Sequence, residues 1–167
     1  PDTPDDKKDG DKPVVSIVAS DALAVEDTLN STVAFKVSQS NLSNFDTTVL
    51  VKLDLGTVEV EDLVNTTVSY KDVNGVDVTT TVADLLSGIT ITIPAGTTYA
   101  PEFVFTIKDD NIYEISESLS MSVSNPTNAT ISTTASNATA VIDDEDDNNP
   151  DTPDDKKDGD KPVVSIV

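Results

Sequence analysis

The sequence of 167 residues contains no cysteine, histidine, arginine or tryptophan, and only 4% of its residues are aromatic. Without cysteine, the chain forms no disulfide and binds no metal through thiolates. Without histidine, it has neither an imidazole base nor a Ser-His-Asp triad. Paired carboxylates alone would suit glycoside hydrolysis, but few aromatic rings are present to hold a sugar. We therefore expect a protein that is not an enzyme.

Cations are also scarce, since ten lysines face thirty-one acidic residues and the formal net charge is −21. A chain this acidic repels phosphate backbones and anionic lipids, so we expect neither nucleic-acid nor membrane binding. No apolar run approaches the roughly 18 residues of a membrane-spanning helix. Carboxylate oxygen is abundant instead, and it is the ligand that Ca²⁺ prefers. Mg²⁺, which demands a stricter octahedral geometry, is a weaker match.

The chain repeats itself. Residues 1–18 and 150–167 are identical, which sets a spacing of 149 residues. The sequence therefore predicts one full unit and the opening of the next, cut from a longer tandem array. The alternative is an artificial duplication of the two ends.

Composition divides this unit into a folded part and linkers. Residues 1–13 and 148–162 consist largely of Asp, Lys, Pro and Gly, which bury too little apolar surface to fold. Their prolines and like charges favour an extended, semi-rigid spacer. We expect a folded domain over 14–147 and the truncated first strand of the next unit over 163–167.

The middle of the chain alternates apolar and polar residues with a period of two, as strands with one buried face do. Asn74-Gly75 predicts a hairpin, and Val82–Leu86 alone suggests a helical turn. About seven short strands with regular turns predict an all-β, antiparallel Greek-key sandwich, with a barrel as the alternative. The expected inward residues are Val33, Phe35, Val37, Val49, Val51, Leu53, Leu55, Ile89, Ile91, Ile93, Phe103, Phe105, Ile107, Leu119, Met121, Val123, Ala138, Ala140 and Ile142.

Acidic residues gather where predicted strands end, notably at Asp109-Asp110, at Glu114 and Glu117, and over 143–147. Strand ends from different hairpins converge at one end of a sandwich, so these carboxylates are expected to meet. Calcium takes six to eight oxygens from flexible loops and suits such a cluster. The alternative is a set of solvated loop faces that keep the protein soluble.

Several motifs, in the right order, resemble those of Calx-beta domains. DDNIYEISESLSMSV (109–123) is similar to the family's DD-x-x-x-E-x-x-E signature, and GTVEVEDL (56–63) is similar to its G-T-A-x-x-x-D-Y element. VVSIV followed by Glu26, ITIPAGTTYAPEFVFTIKDD (91–110) and AVIDDEDD (140–147) resemble its opening, central and closing passages. Two departures are Leu63 in place of an aromatic and a longer segment over 71–87.

The resemblance implies an Ig-like seven-stranded sandwich that binds Ca²⁺ at one end. Glu61 or Glu59 could replace Asp62 in the implied set. Carried over by position, the implied ligands are Glu26, Asp62, Asp109, Asp110, Glu114, Glu117, Asp143, Asp144 and Asp146.

Tandem units of this kind with acidic linkers resemble the extender repeats of giant RTX-type bacterial surface adhesins. The resemblance implies an extracellular, calcium-stabilised spacer whose partners are the neighbouring repeats of its own chain, and which is monomeric as an isolated unit. The first alternative is a glycan- or protein-binding module, which clustering of Tyr70, Tyr99 and Tyr113 would favour. The second is a homophilic adhesion domain bridged by calcium.

Overall fold

The structure is a computed structural model that describes residues 11–26, 29–110, 112, 114–143 and 164–167. Most of the two predicted linkers lies outside the described residues, as do the candidate ligands Asp144 and Asp146. Among the described residues, no helix has both the length and the apolar character needed to cross a membrane.

The fold is an all-β sandwich, as predicted. One sheet has the strand order β10-β1-β3-β8, the other has the order β2-β11-β9-β4-β7, and β5 pairs with β6 as a separate hairpin. The strands are β1 (Val14–Asp21), β2 (Leu23–Val25), β3 (Thr32–Gln39), β4 (Thr47–Asp54), β5 (Thr67–Lys71), β6 (Asp77–Thr81), β7 (Ile89–Ile93), β8 (Glu102–Thr106), β9 (Glu117–Thr127), β10 (Thr130–Ile131) and β11 (Asn137–Asp143).

The strand count exceeds the expected seven because the first strand is divided into β1 and β2 and three short strands, β5, β6 and β10, are added. β1 pairs with β3 in one sheet, and β2, one residue later, pairs with β11 in the other. The pairings β1–β10 and β2–β11 are parallel, whereas the other pairings in the sheets are antiparallel. Neighbours such as β3 and β8, or β4 and β9, are distant in sequence, as Greek-key crossovers require.

The core lies between the two sheets and is formed by the residues that the period-two pattern predicts. Phe35 and Phe103 are fully buried on the first sheet, and Val51 and Met121 on the second. Phe35 and Phe105 meet edge to face, with ring centroids 6.1 Å apart. Leu55, Ile89 and Ala138, also predicted to point inward, are only partly buried and pack against the core.

The segment over 67–88 covers one open side of the sandwich. Gly75, with a φ of +78°, turns the predicted hairpin between β5 and β6. The helix α1 (Val82–Ser87) follows, where the sequence predicted a helical turn, and the Thr81 hydroxyl caps it by accepting a hydrogen bond from the Asp84 N–H. Leu85 is fully buried, so this segment is part of the core.

The loops meet at two ends of the sandwich. The acidic end comprises the described residues of loops 26–31, 55–66 and 107–117 together with residue 143, and it holds the ends of β2, β4, β8 and β11. The opposite end comprises loops 40–46, 94–101 and 125–136. Register pairs such as Thr32–Thr106 and Glu117–Ile142 bring the acidic loops together, as expected for strand ends.

Residues 164–167 are exposed and form no strand. A strand requires partner strands to pair with its backbone, and in a repeat array the partners of this segment would belong to the next unit. A first strand over 163–167 therefore stays a prediction.

Candidate metal centre

Asp62 occupies a fixed position at the acidic end. It closes a short 3-10 helix, Val60–Asp62, and is only 6% exposed. Its carboxylate accepts a hydrogen bond of 2.6 Å from the Glu59 N–H. Its carbonyl accepts another, of 2.8 Å, from the Lys108 N–H, just after β8. Asp62 is therefore held to both its own loop and the neighbouring strand.

The start of β9 is anchored to the same loop. The Thr57 N–H donates to the Ser118 carbonyl at 3.2 Å, and the Ser118 N–H donates to the Thr57 hydroxyl at 2.9 Å. Gly56 has a φ of +59° and approaches the Ser118 carbonyl so closely that a Cβ would overlap it. This close approach brings Glu117, the first residue of β9, beside the loop that carries Asp62.

Three carboxylates converge as a result. One ligand oxygen from each of Asp62, Glu114 and Glu117 lies within 4.8 Å of the other two. Two of these residues belong to the DD-x-x-x-E-x-x-E segment, and the third belongs to the loop after β4. Asp62 is more than 50 positions from Glu114 and Glu117 in sequence, so only the fold makes it their neighbour.

The electrostatics of this group centre on Glu117. Burial, and then the negative charge and hydrogen bond of Asp62, raise the pKa of Glu117 from 4.5 to about 7, and the charges of Glu114 and Glu59 add to the effect. The oxygen Glu117 Oε2 is buried and has no hydrogen-bond partner among the described residues. A buried carboxylate oxygen without a donor is costly in an apo protein and suits a cation ligand.

Glu26 and Asp143 adjoin each other at the same end. The Glu26 N–H donates to the Asp143 carbonyl at 3.1 Å, and Glu26 is 4% exposed although it is ionisable. The Ser116 hydroxyl donates to the Asp143 carboxylate. Both acids lie outside the three-carboxylate group and close the end of the parallel pair β2–β11.

The other candidate ligands differ in placement. Asp109 is exposed, and the carboxylate of Asp110 accepts a hydrogen bond of 2.8 Å from the Ile112 N–H. Glu59 and Glu61, the two named replacements for Asp62, are exposed and lie outside the three-carboxylate group.

Sequence reasoning missed the positioning residues Thr57 and Ser116. Both side chains fix backbone or carboxylate groups of the acidic end. In a chain rich in Thr and Ser, nothing in the sequence distinguishes these hydroxyls from those on solvent-facing strand positions.

Two of the three tyrosines share a groove of about 190 Å³ between the hairpin and β7, and Tyr113 lies outside the described residues. The Tyr99 hydroxyl donates to the Lys71 carbonyl at 2.7 Å, and the Tyr70 ring lies 4.8 Å from the Phe103 ring. Burial, with smaller contributions from Tyr70 and Asp72, raises the pKa of Tyr99 to about 12. Both tyrosines thus anchor the hairpin to the sandwich.

Comparison with known proteins gives structural matches only. No family model matches the sequence, and no curated protein matches it. The apo-form Calx CBD1 domain aligns with a TM-score of 0.53 and 16% identity, over 80% of this chain and 99% of that one. This chain has the fold of a Calx-beta domain.

Two longer structures align in the same way. CBD12 from CALX1.2 gives a TM-score of 0.52, and the calcium binding domain CBD12 of CALX1.1 gives 0.50, each at 16% identity and over 78% of this chain. This chain spans 45% and 44% of their respective lengths.

Proposed function

We propose that this chain is a calcium-stabilised β-sandwich repeat that acts as a spacer in a bacterial cell-surface adhesin of the RTX type. The observation that carries the proposal is the convergence of Asp62, Glu114 and Glu117 around the buried oxygen Glu117 Oε2. Three carboxylates that meet in this way repel one another, and a divalent cation would neutralise them.

The spacing of these oxygens fits calcium. With Ca–O distances of 2.3–2.6 Å, two ligands of one ion are at most about 5 Å apart. The three oxygens lie within 4.8 Å of one another, so a single ion can contact all three after small side-chain rotations. One of the similar solved structures is named a calcium binding domain, which agrees with this assignment.

The remaining ligands are proposed from the same end of the sandwich. Calcium requires six to eight oxygens, so three carboxylates leave room for further protein groups and water. Glu26, Asp110 and Asp143 are the further candidates among the described residues of this end, and Asp144 and Asp146 follow β11 in the sequence. Asp109, which is exposed, has the weakest support of the nine.

Calcium bound here would act mechanically. It would tie the loop after β4 to the segment before β9, at the end where β11 leaves the domain for the acidic linker. The duplicated 18 residues support a tandem array of such units. An array stiffened in this way would hold a distal ligand-binding domain away from the cell.

Thermal unfolding during a calcium titration tests the proposal. Binding to the native state alone adds about 2.7 kcal/mol at a hundredfold excess of calcium over Kd, so the midpoint should rise markedly. Sodium chloride at matched ionic strength is the control, because screening alone also stabilises so acidic a chain. An unchanged midpoint in millimolar calcium would refute the proposal.

A glycan- or protein-binding module is the second candidate, and the shared groove of Tyr70 and Tyr99 is the observation in its favour. Its weakness is that both rings are already engaged with the hairpin and the core. Glycan-array binding that Tyr70→Ala abolishes, with the fold intact, would support this candidate over the spacer. Homophilic bridging of two acidic ends by calcium would instead give a closed, symmetric dimer.

A further inference from the structure

The acidic end exposes large apolar side chains beside its carboxylates. Leu29 is 81% exposed and Ile115 is 77% exposed, and three others in the same loops are also exposed. Single exposed apolar residues are common on protein surfaces, but five at one end indicate a contact surface. The other three are Val60, Val64 and Ile112.

The opposite end presents a second apolar site on a fixed loop. Phe45 is 60% exposed, and Leu42, in the same loop, is 57% exposed. The loop is held by the Gly96 N–H, which donates to the Ser43 carbonyl at 2.8 Å, and by the Ala95 N–H, which donates to the Asp46 carboxylate at 2.8 Å. This loop therefore needs little ordering upon contact with a partner.

The two ends differ strongly in charge. The described residues of loops 26–31, 55–66 and 107–117 at the acidic end include eight acids and one lysine, whereas the loops of the opposite end contain Asp46 as their one charged residue. Two acidic ends would repel each other, but an acidic end and an opposite end would not. The charge distribution therefore favours head-to-tail contact.

The order of the strands along the chain also connects an acidic end to an opposite end. β1 begins at the opposite end with Val14, and β11 finishes at the acidic end with Asp143. Because residues 150–167 repeat residues 1–18, the equivalent of Val14 in the next unit is Val163. The opposite end of each unit is thus tethered to the acidic end of the unit before it.

We propose that the acidic end of one copy, once calcium has lowered but not removed its negative charge, docks on the Leu42–Phe45 loop of a second copy, which in an array is the next unit. The inference rests on the proposed calcium site. The lower charge is needed because the contact removes water from carboxylates.

A complementation experiment on the isolated chain tests this. Phe45→Ser removes the apolar site of the opposite end, and Ile115→Ser removes one of the acidic end. Both side chains are exposed, so the variants should fold. The isolated unit is expected to be monomeric when dilute. In calcium at millimolar protein, by contrast, sedimentation velocity should show open-ended oligomers for the wild type, because head-to-tail contacts do not close.

Each variant alone should be monomeric, and an equimolar mixture should form dimers and nothing larger. In such a dimer, the acidic end of the Phe45→Ser chain meets the intact loop of the Ile115→Ser chain. Val76→Ser is the matched control, since Val76 is also 60% exposed but lies on the hairpin. This control should associate like the wild type.

Several outcomes would overturn the inference: a monomeric wild type, a monomeric mixture, equal association without calcium, or association of either single variant. A closed dimer of the Phe45→Ser variant in calcium would indicate symmetric pairing of acidic ends instead. Melting of the same samples separates the two proposals. A calcium-dependent midpoint without association refutes only the docking, whereas no midpoint shift refutes the calcium site as well.

Discussion

Replacing Asp62 with asparagine should have opposite effects on stability in the absence and in the presence of calcium. Asparagine keeps the side-chain oxygen that accepts the Glu59 N–H, so the 3-10 helix should persist. It removes one of three negative charges that converge within 4.8 Å. We therefore expect the calcium-free variant to be more stable than the wild type, and the calcium-bound variant to lose most of the stabilisation by the ion.

The size of the first effect follows from the geometry. Two unit charges at 4.8 Å repel by about 0.9 kcal/mol in water and by about 3.5 kcal/mol at an effective dielectric constant of roughly 20. Glu117 is only partly charged near neutral pH, so the lower part of this range applies there. We expect a gain of about 1 kcal/mol at pH 8, which corresponds to a few degrees in the midpoint.

The pH dependence of the unfolding free energy provides an independent test of the same repulsion. The pKa of Glu117 is raised to about 7 in the folded protein, above its ordinary value of 4.5. This group therefore stabilises the fold while it is protonated, and the contribution is lost as the pH rises from about 4.5 through about 7. Since Asp62 is the main charged cause of the shift, D62N should flatten this decline in the calcium-free protein.

Urea unfolding of EDTA-treated protein at pH 5.5 and pH 8, repeated in millimolar calcium, measures all three effects. E61Q is the matched control, because Glu61 is an exposed acid of the same 3-10 helix outside the three-carboxylate group. If calcium-free D62N were less stable than the wild type at pH 8, Asp62 would be a hydrogen-bond acceptor rather than a member of a repelling cluster. An unchanged calcium response would remove Asp62 from the ligands.

Two further predictions concern the fold. Gly56→Ala should destabilise the protein by about 1–3 kcal/mol more than Gly75→Ala does. Both glycines have a positive φ, but only Gly56 meets the Ser118 carbonyl. Equal losses of unfolding free energy in urea would contradict this close approach. Leu85→Ala should lower the unfolding free energy by about 2–5 kcal/mol, because Leu85 in α1 is fully buried. Leu29→Ala, at an exposed position, should change it little. Similar effects of the two substitutions would show that α1 does not belong to the core.

The two-sheet architecture could be predicted from the sequence because a half-buried strand leaves a direct trace in residue order. Leu119, Met121 and Val123 alternate with serines, and all three are buried. Asn74-Gly75 is a local turn signal, and it marks the hairpin. Both signals depend on neighbours along the chain, which the sequence displays.

Other features of the fold could not be predicted in this way. The division of the first strand between two sheets at Ala22 depends on the pairing of β2 with β11, which is more than 100 positions away in sequence. The burial of Leu85 depends on the packing of the inserted segment across the side of the sandwich. Tertiary contacts decide both, and no local pattern records them.

The acidity of the chain, its repetition and its lack of histidine and cysteine are properties of the sequence alone, and they restricted the candidate chemistry to carboxylate oxygen and hard cations. Which carboxylates meet was decided by the tertiary structure. Asp62 and Glu117 are 55 positions apart in sequence, and they become neighbours because Gly56 lets its loop approach the first residues of β9. Electrostatic interaction depends on distance in space, and only the folded chain sets that distance.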